Sequence, residues 1–325
     1  MTQIRVIKPG LLTTVQDLGR WGHQSHGVPV SGPMDMYAHR LANALVGNPA
    51  ACATLEITMI GPELEFDDER MVVVTGAEFA VTAGGSAVPP ETVFHVPAGA
   101  RIRFAERRRG ARAYLGIQGG IAVPPVLGSR ATHVTSRMGG VEGRALRGGD
   151  RLPLGDGPPH RVRQGYAGQE ARRHVSGHAR VRILPGPQRD YFTDEAFNTL
   201  LSAPYTIGAN SDRMGFRLEG PLLTHAGEAD IISDATPIGA LQVPASGQPI
   251  LLMADRQTTG GYPKIGTVIT ADLDLAGQLG PGDTISFVAC LAADALAALI
   301  ARERLLITIE RAEGAPAADE DRGEP

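Results

Sequence analysis

Cysteine is scarce: Cys52 and Cys290 are the only two in 325 residues. That excludes a disulfide framework and a four-cysteine zinc site. Both lie among alanines and leucines and read as small buried hydrophobes. No apolar run approaches the roughly 18 residues that span a bilayer, and Met1 to Gly10 lacks the apolar core of a signal peptide. A cytoplasmic protein with no membrane role is expected. An excess of positive charge is also missing. Lys+Arg number 31 against 35 Asp+Glu, a net charge of −4, so no nucleic-acid partner is expected. The Gly-x-x-x-x-Gly-Lys-Ser/Thr, Gly-x-Gly-x-x-Gly, Gly-x-Ser-x-Gly and His-Glu-x-x-His patterns are absent, which argues against a P-loop ATPase, a Rossmann dehydrogenase, an α/β-hydrolase and a zincin. Lysine is almost absent as well. Of the cationic residues only Lys8 and Lys264 are lysines, so a compact ammonium at Lys264 points to a task that guanidinium does not suit.

Turn formers are abundant. The 41 glycines and 24 prolines make up a fifth of the chain, which suits many short strands joined by tight turns. Alternating or continuous apolar runs at Ile4–Ile7, Leu55–Ile60, Met71–Thr75, Glu91–Val96 and Val181–Pro185 each read as strands. Three segments repeat one pattern, Gly99-Ala-Arg-Ile-Arg-Phe104, Gly149-Asp-Arg-Leu-Pro-Leu154 and Gly282-Asp-Thr-Ile-Ser-Phe287. In each a turn glycine launches a strand with apolar residues two apart. Helices are few: one from Met36 capped by Asp35 and ended at Gly47-Asn48-Pro49, one near Asp194 to Leu201 capped by Thr193, and an Ala/Leu helix from about Ala292 to Arg302. The reading is a mainly β chain of two β-rich subdomains, residues 1–154 and 179–306. A Gly/Pro/Arg-rich linker (155–178) separates them, and an acidic disordered tail (312–325) follows.

The densest polar segment follows the strand Ile250–Met253. It delivers Asp255, Arg256, Gln257, Thr258 and Thr259 into the Gly260-Gly261 turn, then Tyr262 and Lys264. Polar groups at a strand end beside glycines whose amides approach a ligand suit an anion or carboxylate. The plainer alternative is a β-hairpin whose glycines serve only its turn. A second group, Asp212, Arg213, Arg217 and Glu219, either clamps a carboxylate or closes on itself as ion pairs. His23, His26, Asp35 and His39 have ligand-like spacing. Such spacing is common in glycine-rich loops and Asp35 already caps a helix, so no metal site is assigned.

Val15-Gln-Asp-Leu-Gly-Arg20, Val28-Pro-Val-Ser-Gly-Pro-Met-Asp35, Ala42-Asn-Ala-Leu-Val-Gly-Asn48, Leu55-Glu56, Gly128-Ser-Arg130, Ser211-Asp-Arg-Met-Gly215 and Asp255-Arg-Gln-Thr-Thr-Gly-Gly-Tyr-Pro263 together resemble the KipA family, also called PxpC, the C subunit of 5-oxoprolinase. That family is similar to the second half of the carboxyltransferase region of urea amidolyase. The resemblance runs from Ile4 to about Phe287 and implies a cyclophilin-like barrel. It further implies a PxpB/KipI-like partner subunit, a PxpA-like third component, and ATP-dependent cleavage of 5-oxo-L-proline to L-glutamate.

Such chemistry needs cations for phosphates, donors for oxyanions and a group to orient water. On residue chemistry, Asp255, Lys264 and Arg213 are the catalytic candidates, with Asp255 as general base or Mg²⁺ ligand. Arg217, Gln257, Thr258, Thr259, Gly260, Gly261, Tyr262, Ser31 and Arg20 are the binding candidates. ATP and Mg²⁺ are the expected cofactors, at a site on this chain or shared with the partner. Two other readings remain. One is carboxyl transfer from carboxybiotin, which must arrive on another protein because no Met-Lys-Met carrier motif is present. The other is a non-catalytic partner of a KipI-like kinase inhibitor.

Overall fold

The computed structural model describes residues 2–157 and 175–311. Nine strands form the first sheet: β1 (Gln3–Lys8), β2 (Leu12–Gln16), β3 (Thr54–Thr58), β4 (Glu63–Phe66), β5 (Arg70–Ala83), β6 (Ser86–Val88), β7 (Phe94–Val96), β8 (Arg101–Ile117) and β9 (Arg151–Pro153). Its path is β2-β3-β8-β4-β1-β9, with β5 pairing β6, β7 and β8. All these pairs are antiparallel. Inward residues such as Ile4, Leu55, Ile57, Phe66, Ile102 and Leu115 make its core. Strands β5 and β8 run far beyond their apolar stretches. The charged segment of β8 continues as strand because Arg108 and Arg109 pair with Glu78 on β5.

The remaining strands are β10 (His178–Pro185), β11 (Tyr205–Ile207), β12 (Gly215–Glu219), β13 (Asp234–Ala235), β14 (Ala240–Gln242), β15 (Ile250–Leu252), β16 (Thr259–Gly260), β17 (Lys264–Val268) and β18 (Thr284–Ala289). Seven of them close a barrel in the order β10-β17-β14-β15-β12-β11-β18, while β13 and β16 form a two-stranded ribbon. Strand β18 meets β10 in parallel and so shuts the barrel. Closure pairs the edge strands and encloses Val181, Ile183, Phe216, Leu241, Leu251, Ile265 and Phe287. The mainly β architecture with a barrel is therefore present.

The three glycine-launched strands begin two residues after Gly99, Gly149 and Gly282, as β8, β9 and β18. Those glycines have φ of +75°, +93° and +88° with open space around them. Left-handed backbone, rather than close packing, is what requires glycine there. Helix α1 (Met36–Leu45) starts where Asp35 accepts the Ala38 N–H at 2.8 Å. Helix α2 (Asp194–Ser202) starts where Thr193 accepts the Ala196 N–H at 3.1 Å. A short α3 (Leu273–Gly277) follows β17, and α4 (Ala292–Arg311) runs nine residues past its expected end at Arg302. The extension packs Leu306 and Ile309 against Leu41 and Leu45 of α1, and Arg40 of α1 binds Glu303 and Glu310. Most of the expected linker (158–174) and the acidic tail (312–325) lie outside the described residues. Among the described residues no helix is long and apolar enough to cross a membrane.

One local expectation is corrected. Strands β15 and β17 do not form a hairpin, because β14 lies between them and pairs with both. Their connection is too long for a tight turn and spends Thr259 and Gly260 on the ribbon with β13.

Candidate functional site

The two β units meet over a buried polar network. Arg213, just before β12, donates from Nε to Asp255 Oδ2 at 2.8 Å and from Nη2 to Asp255 Oδ1 at 3.0 Å. Its Nη1 reaches Glu56 on β3 and its Nη2 the Gly32 carbonyl. The Ser31 hydroxyl donates to Asp255 Oδ1 at 2.6 Å. Tyr114 on β8 donates to Glu56 Oε2 at 2.7 Å and accepts the Asp35 N–H at 2.8 Å. Gln278 from the barrel side donates to Asp35 Oδ2 at 2.7 Å. Burial alone lowers the Arg213 pKa, but Asp255 and Glu56 beside it raise it by more, so the guanidinium stays charged. Burial, then the Glu56 charge, pushes the Tyr114 phenol up and keeps it a donor.

Asp255, Arg213 and Ser31 are thus together, but they face one another. Both oxygens of Asp255 are engaged, and Arg213 closes on Asp255 and Glu56 rather than on Asp212 or Glu219. This arrangement does not fit a Mg²⁺ ion on Asp255. Among the described residues no group of three or more His, Cys, Asp or Glu side chains is placed to hold a metal.

Lys264 is only 1% exposed and its Nζ donates to Asp234 Oδ2 at 2.8 Å. That hydrogen bond, helped by the Ala235 N–H, holds the Asp234 carboxyl below the usual range. The lysine therefore fastens the ribbon to the barrel: Asp234 is opposite Gly260, and Ala235 opposite Thr259. The Thr236 N–H donates to the Thr258 carbonyl at 3.1 Å and the Ile231 N–H to the Gly261 carbonyl at 2.8 Å. A Cβ on Gly260 would lie 2.6 Å from Gln242 Nε2, so the Gln242 amide packs directly against the bare backbone of this glycine.

Beside Gln257 and Tyr262, at the two ends of this loop, lies a cavity of about 210 Å³. Arg217, Asp212, Gln257 and Tyr262 line it with Asn210, Gln242 and an apolar floor of Met214, Ile250 and Leu252. Gln257 Nε2 donates to Gln242 Oε1 at 3.2 Å, and Gln242 Nε2 to the Tyr262 carbonyl at 3.4 Å. The exposed Arg217 guanidinium has no ion-pair partner among the described residues. One cation and one carboxylate, Arg217 and Asp212, with a paired-amide wall and an apolar floor suit a small polar molecule that carries an amide and can set a carboxylate on Arg217.

Of the residues singled out in the sequence, four line this cavity, Asp212, Arg217, Gln257 and Tyr262, and Thr258, Thr259, Gly260 and Gly261 form the loop that joins the last two. Lys264 lies behind that loop. Arg20 is elsewhere, 1% exposed, with Nη2 on the Ala131 carbonyl and with Nε and Nη1 unpartnered among the described residues. His39 is also buried, against Thr54 and the Ala50 carbonyl. Sequence reasoning missed Tyr114, Gln278, Asp234 and Gln242. Only Gln242 left a signal, as a lone amide inside the apolar run Ala240–Val243.

Comparison with known proteins follows the same lines. Residues 26–289 match the model of the "Carboxyltransferase domain, subdomain A and B" family. The chain is 39% identical to the C subunit of the 5-oxoprolinase of Escherichia coli over 91% of this chain and 94% of that protein. It is 33% identical to the urea amidolyase of Saccharomyces cerevisiae over 88% of this chain but only 16% of that protein. The crystal structure of the K. lactis urea amidolyase superposes with a TM-score of 0.89 at 31% identity, covering 98% of this chain and 20% of that one. The chain thus spans about a fifth of that polypeptide.

Proposed function

The chain belongs to the carboxyltransferase domain family, subdomain A and B, and from that membership we propose that it is a subunit of an ATP-dependent 5-oxoprolinase, cleaving 5-oxo-L-proline to L-glutamate in the cytoplasm beside PxpB/KipI-like and PxpA-like subunits. One observation carries the reading: the 39% identity extends over 94% of a protein named as the C subunit of a 5-oxoprolinase.

The chemical problem is that a lactam carbonyl is a poor electrophile. Transfer of the ATP γ-phosphoryl group to the lactam oxygen releases ADP and makes that oxygen a leaving group. Water then adds at the activated carbon and the ring C–N bond breaks with a proton passing to nitrogen, which leaves a γ-acyl phosphate; a second water hydrolyses it to the carboxylate and releases phosphate. This chain's share is binding and orientation. Arg217 takes the substrate carboxylate, Gln257 offers Oε1 to the lactam N–H, and the Tyr262 ring and the glycine loop close over the ring. The cavity, about 210 Å³, lies below the roughly 300–1,000 Å³ typical of larger ligands. We therefore assign ATP and Mg²⁺ to the partner side of a shared site. Lys264 and Arg213 position the loop and the junction, and Asp255 anchors Arg213.

The likeness to urea amidolyase favours one second reading, carboxyl transfer to a urea-like amide from biotin carried on another protein. Glutamate release from 5-oxoproline and ATP, with partner subunits added one at a time, separates the two. Release that requires this chain supports the 5-oxoprolinase reading. Release unchanged by omitting the chain overturns it, and bicarbonate-dependent carboxylation of urea with a biotinylated partner establishes the second.

A further inference from the structure

Three consecutive residues at the end of β15 leave the backbone in different directions. Asp255 enters the buried network and Gln257 the cavity beside Tyr262, while Arg256 enters another cavity, of about 310 Å³. Leu18, Val30, Met34, Ile238, Leu273 and Leu306 supply its apolar walls, Trp21 stands at its side, and α4 covers it. Three arginines reach this space. Arg40 is paired with Glu303 and Glu310, and Arg302 with Asp274. Arg256 has only carbonyl partners, Thr236 at 2.7 Å and Met253 at 3.5 Å, and no ion pair among the described residues.

Three cations and two lining carboxylates, Asp274 and Glu303, leave the walls with one positive charge. Burial pushes the Arg256 pKa down, with only the adjacent Asp255 opposing it. A guanidinium desolvated this way gains from a carboxylate brought by a ligand. One free cation selects a single negative charge, and the walls select an apolar body.

We propose that the cavity between residues 18–40, residues 270–274 and α4 is a second ligand site, which binds a monocarboxylate with an apolar chain and seats its carboxylate on Arg256. The site is separate from the 5-oxoproline cavity and does not rest on the 5-oxoprolinase reading.

Trp21 is the only tryptophan of the chain and is 59% exposed, so its emission reports occupancy directly. The probe is octanoate, titrated into the full chain, with 1-octanol as the uncharged counterpart. The expected result is a saturable blue shift with octanoate. Arg256→Gln weakens octanoate about tenfold or more and leaves 1-octanol unchanged. Arg256→Lys keeps the charge and retains octanoate binding, whereas Leu299→Phe, from a half-buried position on the α4 wall, weakens both probes. No saturable shift in the unmodified chain through millimolar octanoate overturns the proposal. Equal octanoate affinity in Arg256→Gln also overturns it, and so does loss in Arg256→Lys with retention in Leu299→Phe.

Discussion

The Ser31 hydroxyl donates to Asp255 Oδ1 at 2.6 Å across a separation of 224 residues, tying the loop before α1 to the end of β15. Ser31 holds φ of +60°, a left-handed conformation uncommon for residues other than glycine. Ser31→Ala loses a hydrogen bond to a buried charge and keeps the strain, so denaturant unfolding will show a loss of about 1.5–3 kcal/mol. Ser31→Gly relaxes the backbone and falls between Ala and the native chain.

Arg213 compensates two buried carboxylates, Glu56 and Asp255. Arg213→Ala leaves both without their cation at the junction of the β units and is expected to cost about 3–5 kcal/mol. Urea denaturation checks it, and a change below about 1 kcal/mol would rule out a structural role for this ion pair.

Lys264 separates anchoring from chemistry. Its side chain is 1% exposed while that of Asp234 is 49% exposed, so removing the amine leaves a solvated acid and not a buried one. Lys264→Met keeps the packing and should stay within about 1.5 kcal/mol of the native chain. Lys264→Ala opens a cavity and should lose about 2–5 kcal/mol. In the assembled enzyme Lys264→Met should raise KM by loosening the ribbon. Loss of kcat at unchanged KM would instead make the ammonium part of the chemistry.

His39 gives the fold a pH dependence. The Ala50 carbonyl can only accept, so Nε2 carries the proton and Nδ1 accepts from the Thr54 hydroxyl. Burial holds this imidazole down at about 4. The unfolded chain takes up the proton near 6.5 and the folded chain does not, so this stability is whole above about pH 6.5 and declines toward about pH 4. The slope is at most about 1.4 kcal/mol per pH unit. His39→Gln should flatten that part of the stability profile, and parallel profiles for the two chains would refute the assignment.

The helix caps Asp35 and Thr193 and the strand-launching glycines were legible in the sequence because turns and caps are set within a few residues. Strand lengths were not: β8 carries its arginines onward only because Glu78 lies across from them. The end of α4 depends on Arg40, more than 260 residues away. The scarcity of lysine singled out Lys264 but could not give its burial, since Asp234 reaches it through a ribbon of two residues per strand. Arg217 was found as chemistry in one motif region, and Gln257 and Tyr262 in another. Their common cavity depends on β14 lying between β15 and β17, which no local pattern announces.

The most direct measurement is the KM for 5-oxoproline of the assembled enzyme carrying Arg217→Ala. Arg217 is exposed, so the chain should unfold within about 0.5 kcal/mol of the native protein. Losing its pairing with the substrate carboxylate should raise KM about tenfold or more. An unchanged KM in a complex that still needs this chain for glutamate release would contradict the cavity beside Tyr262 as the substrate site.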